Sequence, residues 1–263
     1  MADDAGMRIE ADGGVRIVHL ERAARRNAID DESALTLTDF FLRANRDSEI
    51  RAVVLTGTGR DYCTGADVVS SPDLPVLTPL DYRFGTDIYR SLFKALWEVE
   101  RPVVSAVNGT VAGAGWTYAL IADLVVADRA ARWTHVFSRR GMVPHAGDPY
   151  FLPRIIPFHR LNEIALLSDQ LTSADLEKWG LLNRVVDAEQ VLPTALELAH
   201  RLAAGPTRSL GLTKSLYRRS LSVDLDTSFE LERAATALIS TTEDRKEGVR
   251  SFVEGRPANF TGH

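Results

Sequence analysis

The chain has 263 residues, 45% of them hydrophobic, a net charge of −5 and one cysteine, enough apolar material for one large domain or a domain with an appendage. The lack of basic excess argues against nucleic acid as a partner. The lone Cys63 excludes an internal disulfide and fits a reducing, cytoplasmic compartment. No stretch approaches the roughly 18 apolar residues of a membrane span, so no membrane partner is expected, and the acidic opening MADDAGMRIEADGG lacks a secretory core.

Val15 to Leu20 is a short β-rich run behind a Gly13-Gly14 turn. Asp31 to Arg46 spaces Leu37, Phe40, Phe41 and Ala44 as a helix does. Arg51 to Leu55 is a second apolar run, stopped by Gly57 and Gly59. Tyr82 to Glu100 predicts a helix with Tyr89, Leu92, Phe93 and Leu96 on one face. Pro102 to Val107 and Leu124 to Val126 are further strand candidates. Strands alternating with helices predict an α/β fold with parallel pairing. After about residue 149 the pattern turns helical. Thr172 to Asp175 is a capping signature, and Leu192, Ala195, Leu196, Ala199 and then Leu231, Ala234, Ala235, Leu238 repeat at helical spacing. Residues 1–200 read as the βα core and 201–263 as a helical C-terminal segment, packed either on a neighbouring subunit or on its own chain.

Two glycine-rich segments follow strand candidates: Thr56 to Asp67 (TGTGRDYCTGAD) and Asn108 to Leu120 (NGTVAGAGWTYAL). Neither has the spacing of a Walker loop or of a dinucleotide fingerprint. Two such loops can aim backbone N–H groups at one oxygen, with a helix starting near Gly115 adding its dipole; two tight turns needing positive φ are the plainer alternative.

Arg22 with Arg25-Arg26-Asn27-Ala28-Ile29, the Gly57-x-Gly59-x-x-Tyr62-x-x-Gly65-Ala66-Asp67 segment, and Ala106-Val107-Asn108-Gly109 with Gly113-Ala114-Gly115 resemble, in order, motifs of the crotonase (enoyl-CoA hydratase/isomerase) superfamily. Gly141-x-x-Pro144, Leu152-Pro153-Arg154, the Gly180 to Val186 run and the Glu243 to Gly248 tail extend the likeness over nearly the whole chain. The resemblance implies a crotonase-like core of stacked ββα units, a C-terminal segment that builds a homotrimer or a dimer of trimers, and an acyl-CoA thioester substrate. Coenzyme A arrives as part of that substrate, with no separate cofactor and no metal. It places the thioester carbonyl between the N–H groups of Ala66 and Ala114. It assigns Arg25, Arg26, Ala28 and Asp67 to coenzyme A, with Arg22, Lys214 and Arg256 as further cations, although Gly255 stands where hydratases keep a lysine.

The two glutamates of the family's hydratases are absent. Thr117 and Phe137 hold their positions, and neither moves a proton readily near neutral pH. The residue after the proline of Gly-x-x-Pro carries catalytic groups in other branches. Here it is His145, whose ordinary pKa suits proton transfer. Asp148 either orients that ring, acts alone, or caps a helix over Pro149 to Ile156. Thr117, Phe137, Tyr62 and His135 are the pocket candidates; His135 sits two residues before Phe137 and either shares its face or is simply packed. His19, His159, His200 and His263 read as surface residues, Cys63 as a small buried hydrophobe, and Arg139-Arg140 as a phosphate site or a solvated surface. The expected activity is enolate stabilisation in an isomerase or an atypical hydratase. The alternatives are a β-diketone type C–C hydrolase and a non-catalytic binding protein of the same fold.

Overall fold

Val53 and Leu55 face one hydrophobic cluster, while Ala52 and Val54 face another. A strand covered on both faces needs no polar alternation, and parallel strands are usually covered that way. The computed structural model describes residues 6–67 and 78–263, without the side chains of Tyr82 and Phe84, so part of the acidic opening lies outside the described residues. Its strands are β1 (Met7–Asp12), β2 (Val15–Leu20), β3 (Ala52–Gly57), β4 (Asp61–Cys63), β5 (Val103–Val107), β6 (Thr110–Ala112), β7 (Leu124–Asp128), β8 (Arg132–Thr134), β9 (Gln170–Thr172) and β10 (Arg184–Val186). A six-stranded sheet runs β1-β2-β3-β5-β7-β10 and a four-stranded sheet runs β4-β6-β8-β9. Only the β1–β2 and β8–β9 pairs are antiparallel.

The two sheets share one rule of construction. β3–β4, β5–β6 and β7–β8 each place their first strand in the large sheet and their second in the small one. Helices follow each pair, which is the stacked ββα core of the crotonase fold. The three-residue strands β4, β6, β8, β9 and β10 gave no sequence signal, because three residues are too few to show alternation.

The helices are α1 (Asp31–Ala44), α2 (Pro79–Gly85), α3 (Asp87–Glu98), α4 (Gly115–Leu120), α5 (Asp148–Ile155), α6 (Phe158–Leu167), α7 (Ser173–Lys178), α8 (Val191–Ala203), α9 (Thr207–Ser220), α10 (Leu225–Ser240) and α11 (Glu243–Glu254). Asp30 caps α1 by accepting from the Ser33 N–H at 2.9 Å. Thr172 and Asp175 form the capping box that opens α7. The helix predicted from Tyr82 is two helices, divided at Gly85 and Thr86. On α3, Leu92, Phe93 and Leu96 are buried, and Tyr89 donates its hydroxyl to the Ile29 carbonyl at 3.1 Å.

α8 lays Val191, Ala195, Ala199 and Ala203 on the second cluster, so it belongs to the layered core. Beyond it, Ala235 of α10 is the one buried hydrophobic residue among the described residues, and Leu238, Phe252 and Val253 are exposed. The chain end folds back: the Asp244 carboxylate accepts from the N–H groups of Thr261 (2.7 Å) and Gly262 (2.9 Å), and Arg51 donates to the carbonyls of Gly205 and Phe260. Among the described residues no helix is long and apolar enough to cross a membrane.

Candidate active site

The Ile29 N–H donates to Gly65 O at 2.8 Å, and the Asp67 N–H donates to Ile29 O at 2.9 Å. This single bridge uses the groups on either side of Ala66 and leaves the Ala66 N–H outside it. Ala114 precedes α4, where the first turn's donors have no intrahelical acceptor. Among the described residues, neither N–H donates to a backbone or side-chain acceptor. Gly65 brings the two loops together. Its φ is +90°, and a Cβ there would lie 2.8 Å from the Ala114 nitrogen and 3.0 Å from the Ala112 carbonyl oxygen. A Cβ at Gly115 would lie 2.3 Å from the Cys63 carbonyl oxygen. Close backbone approach therefore explains these glycines, with positive φ adding to the demand at Gly65.

The first motif braces the second. Asn27 has a φ of +54°, a conformation asparagine tolerates better than most residues. Its Nδ2 donates to the carbonyls of Thr58 (2.8 Å) and Asp61 (2.6 Å), and its Oδ1 accepts from the Arg22 N–H at 3.0 Å. Arg22 and Arg25 each pair with the buried Asp67 carboxylate at 2.9 Å, and Arg26 pairs with Asp61 at 2.9 Å. Arg25, Arg26, Ala28 and Asp67 line a cleft of about 470 Å³ together with Ala66. Arg139 and Arg140 border the same cleft, as do Thr64 and Gln170, which sequence reasoning did not single out. Gln170 comes from β9, and no local pattern announces its arrival there.

Lys214, Tyr62 and Arg256 are not among the residues that line this cleft. Lys214 is spent inside the molecule. Its Nζ donates to Arg101 O (2.8 Å) and to the Asp123 carboxylate (2.5 Å), and burial pushes the ammonium down to about 8. Tyr62 is fully buried, its hydroxyl 3.1 Å from that of Ser105, and burial pushes the phenol far up. Arg256 is held by Glu247 and Glu254 on the C-terminal helix.

The Asp148 carboxylate does not bond to the His145 ring, and it does not cap α5. Gly147 occupies the cap position, and Asp148 is the first helical residue. Its buried carboxylate lies 2.7 Å from Nε2 of His135, itself fully buried. The His145 ring instead places Nδ1 3.1 Å from the Val143 carbonyl oxygen. A carbonyl only accepts, so Nδ1 carries a proton and donates it to this bond. His145 is half-buried and packs edge-on against Phe137, with ring centroids 4.9 Å apart. Phe137 meets His135 at the same separation, 4.9 Å. Val136, the residue before Phe137, borders the cleft and would be 3.4 Å from a Cβ on Gly113, beside the Ala114 loop. His145 is itself not among the residues that line the cleft; it touches Phe137, whose chain neighbour Val136 is.

Thr117 is fully buried, and its hydroxyl has no hydrogen-bond partner among the described residues. Phe137 is buried as well. Cys63 is buried, which pushes its thiol up to about 12 and keeps it from acting as a nucleophile. His19 departs from the surface reading: it is buried on β2, and burial, then the Arg8 charge, lower its pKa.

The family profile described as enoyl-CoA hydratase/isomerase matches residues 10–263. The chain is 37% identical over 250 residues to a 1,2-epoxyphenylacetyl-CoA isomerase of Escherichia coli (strain K12), covering 95% of each. It is 26% identical over 253 residues to a crotonyl-CoA hydratase of Syntrophomonas wolfei, covering 96% of each. Among solved structures, an enoyl-CoA hydratase from Bacillus anthracis superposes with a TM-score of 0.91 at 25% identity, over 98% of this chain and 100% of that one. The glycine-packed loops, the paired ββα strands and a match from residue 10 to the last residue lead to one conclusion: the chain is an enzyme of the enoyl-CoA hydratase/isomerase family, acting on acyl-CoA thioesters.

Proposed function

We propose that the protein isomerises an unsaturated or otherwise activated acyl-CoA through a thioester enolate. The observation that carries this reading is the pair of uncommitted N–H groups at Ala66 and Ala114, brought together by Gly65, with no carboxylate at Thr117 or Phe137. Two such donors aimed at one carbonyl oxygen stabilise negative charge as it develops, each worth roughly 3 kcal/mol in the transition state. In the proposed reaction Nε2 of His145 takes a proton from carbon, the thioester oxygen gains the negative charge, and the imidazolium returns the proton to a different carbon. Atoms are conserved, and one group serves as base and then acid. Hydration would need a water placed by a second proton-handling group, and both hydratase glutamate positions lack one. The name of the 37%-identical isomerase supports the same choice. Arg25, Arg26, Arg139 and Arg140 border the cleft where the substrate's phosphates would enter. We further propose a trimer or a dimer of trimers, in which neighbours cover the apolar side chains exposed on α10 and α11. A reducing, cytoplasmic setting suits the one buried cysteine.

The test is a panel of enoyl-, dienoyl- and 3-oxoacyl-CoA thioesters run in deuterated water. Isomerisation with deuterium incorporation in the wild type, falling about 100-fold in His145→Ala, is the expected outcome. Turnover unchanged in His145→Ala removes His145 from the chemistry. Binding without turnover on every thioester favours a non-catalytic role, and cleavage of a 3-oxoacyl chain favours C–C hydrolysis.

A further inference from the structure

His135 follows β8 and Asp148 opens α5, and between them the chain forms the turn that carries His145. The His135 and Asp148 side chains are 0% and 4% exposed, with Nε2 and Oδ2 2.7 Å apart. A carboxylate this buried is stable only when it is hydrogen-bonded or paired, and as an acceptor it fixes the proton on Nε2. The bond is therefore a directional brace between the end of a strand and the start of a helix.

Two further contacts run from this brace to His145. The Asp148 N–H donates to the His145 carbonyl at 3.2 Å, across a turn in which Ala146 (φ +59°) and Gly147 (φ +77°) are both left-handed. A non-glycine residue in that conformation is held there by its surroundings. From the other side, the Phe137 ring stands against both imidazoles, each at 4.9 Å. His135, Phe137, His145 and Asp148 thus form a closed circuit of contacts, whose one side-chain hydrogen bond, His135 to Asp148, is buried.

We propose that Asp148, through its buried bond to His135, is the positioning residue for His145. This inference rests on the proposed role of His145 in proton transfer. Asp148 itself has no access to substrate; it acts by fixing the turn and the Phe137 ring against which the His145 imidazole is seated. The Asp148 and His135 side chains do not line the cleft, so the loss of Asp148 is expected to act on the chemical step more than on binding.

The test uses the full-length protein and three readouts: the ring-current-shifted Hε1 resonance of His145, kcat and KM on the thioester that is turned over, and a double-mutant cycle. Asp148→Ala is expected to move the His145 resonance toward that of an exposed histidine. It should also lower kcat about 10- to 100-fold with KM within about threefold. Asp148→Asn keeps an acceptor for His135 Nε2–H, and His135→Gln keeps a donor at that reach, so both recover most of the resonance shift and of kcat. In a His145→Ala background, Asp148→Ala costs nothing further. If Asp148→Ala does not fold, the double substitution His135→Leu with Asp148→Leu supplies an apolar pair of similar size and carries the same expectations. A His145 resonance that stays in place in the folded variants overturns the proposal, as does a loss repeated in full in the His145→Ala background. Were His145→Ala to leave turnover intact, the proton-transfer reading would fall, while the resonance would still decide whether Asp148 positions the ring.

Discussion

Gly65 carries two demands at once, a φ of +90° and a backbone neighbour 2.8 Å from where a Cβ would stand. Gly65→Ala therefore strains its own backbone and pushes the Ala114 loop away. Loss of one aligned oxyanion donor costs about 100- to 1000-fold in kcat, and that is the expected fall, measured by steady-state kinetics alongside a folded circular-dichroism spectrum. A variant with full activity would mean that the two N–H groups do not act on one oxygen. His145 and Asp148 show a different dependence on context. Their spacing in the chain suggests one unit, yet the carboxylate turns away toward His135, 13 positions earlier in the sequence. Burial makes the choice: Asp148 cannot be left unpaired in the core, and His135 is the partner that the core places within reach.

At the scale of elements, α8 shows how small residues fit a helix to a sheet. Ala195 and Ala199 are fully buried over β3, β5 and β7, and their size lets the helix lie close. Ala199→Leu forces a large side chain into this packed layer and is expected to cost about 1–3 kcal/mol, read as a lower urea midpoint with an unchanged m-value. No loss would mean that the layer has room to spare. The same layering made the large sheet legible. β2, β3, β5 and β7 are buried runs of Val, Ile, Leu and Ala, visible as apolar stretches without a partner being known. β4, β6 and β8 were not legible, although β4 and β6 carry the chain into the two glycine loops, because each is only three residues long and is defined by its pairing.

Over the whole molecule, the two ends of the chain bear on stability and assembly. His19 is buried near Glu10, Arg8 and Glu21, and burial lowers its pKa from the ordinary value near 6.5. The unfolded chain therefore binds more protons at this residue once the pH drops below about 6.5, so stability falls as the pH falls through that point. His19→Gln should flatten the part of the melting-temperature profile that lies below about pH 6.5. An identical slope in the variant would assign the acid sensitivity elsewhere. At the other end, Phe252 is 87% exposed and Val253 78% exposed in the single chain, and Leu238 of α10 is exposed as well. If the proposed oligomer forms through this face, Phe252→Asp shifts the sedimentation coefficient downward, toward the value for a single chain. An unchanged coefficient would count against α11 as the proposed subunit contact.

By itself the sequence determined the fold class, the buried strands and the two glycine loops, because these rest on local composition and on motifs contiguous in the chain. It also fixed the residue types at Thr117 and Phe137, neither of which is a carboxylate. Only the tertiary structure decided that Lys214 neutralises Asp123 in the interior, that Tyr62 is core, and that Asp148 belongs to His135. The physical reason is the same in each case. A buried polar group takes whichever partner the packed chain brings within about 3 Å, and that proximity is set by folding, with no trace in linear spacing.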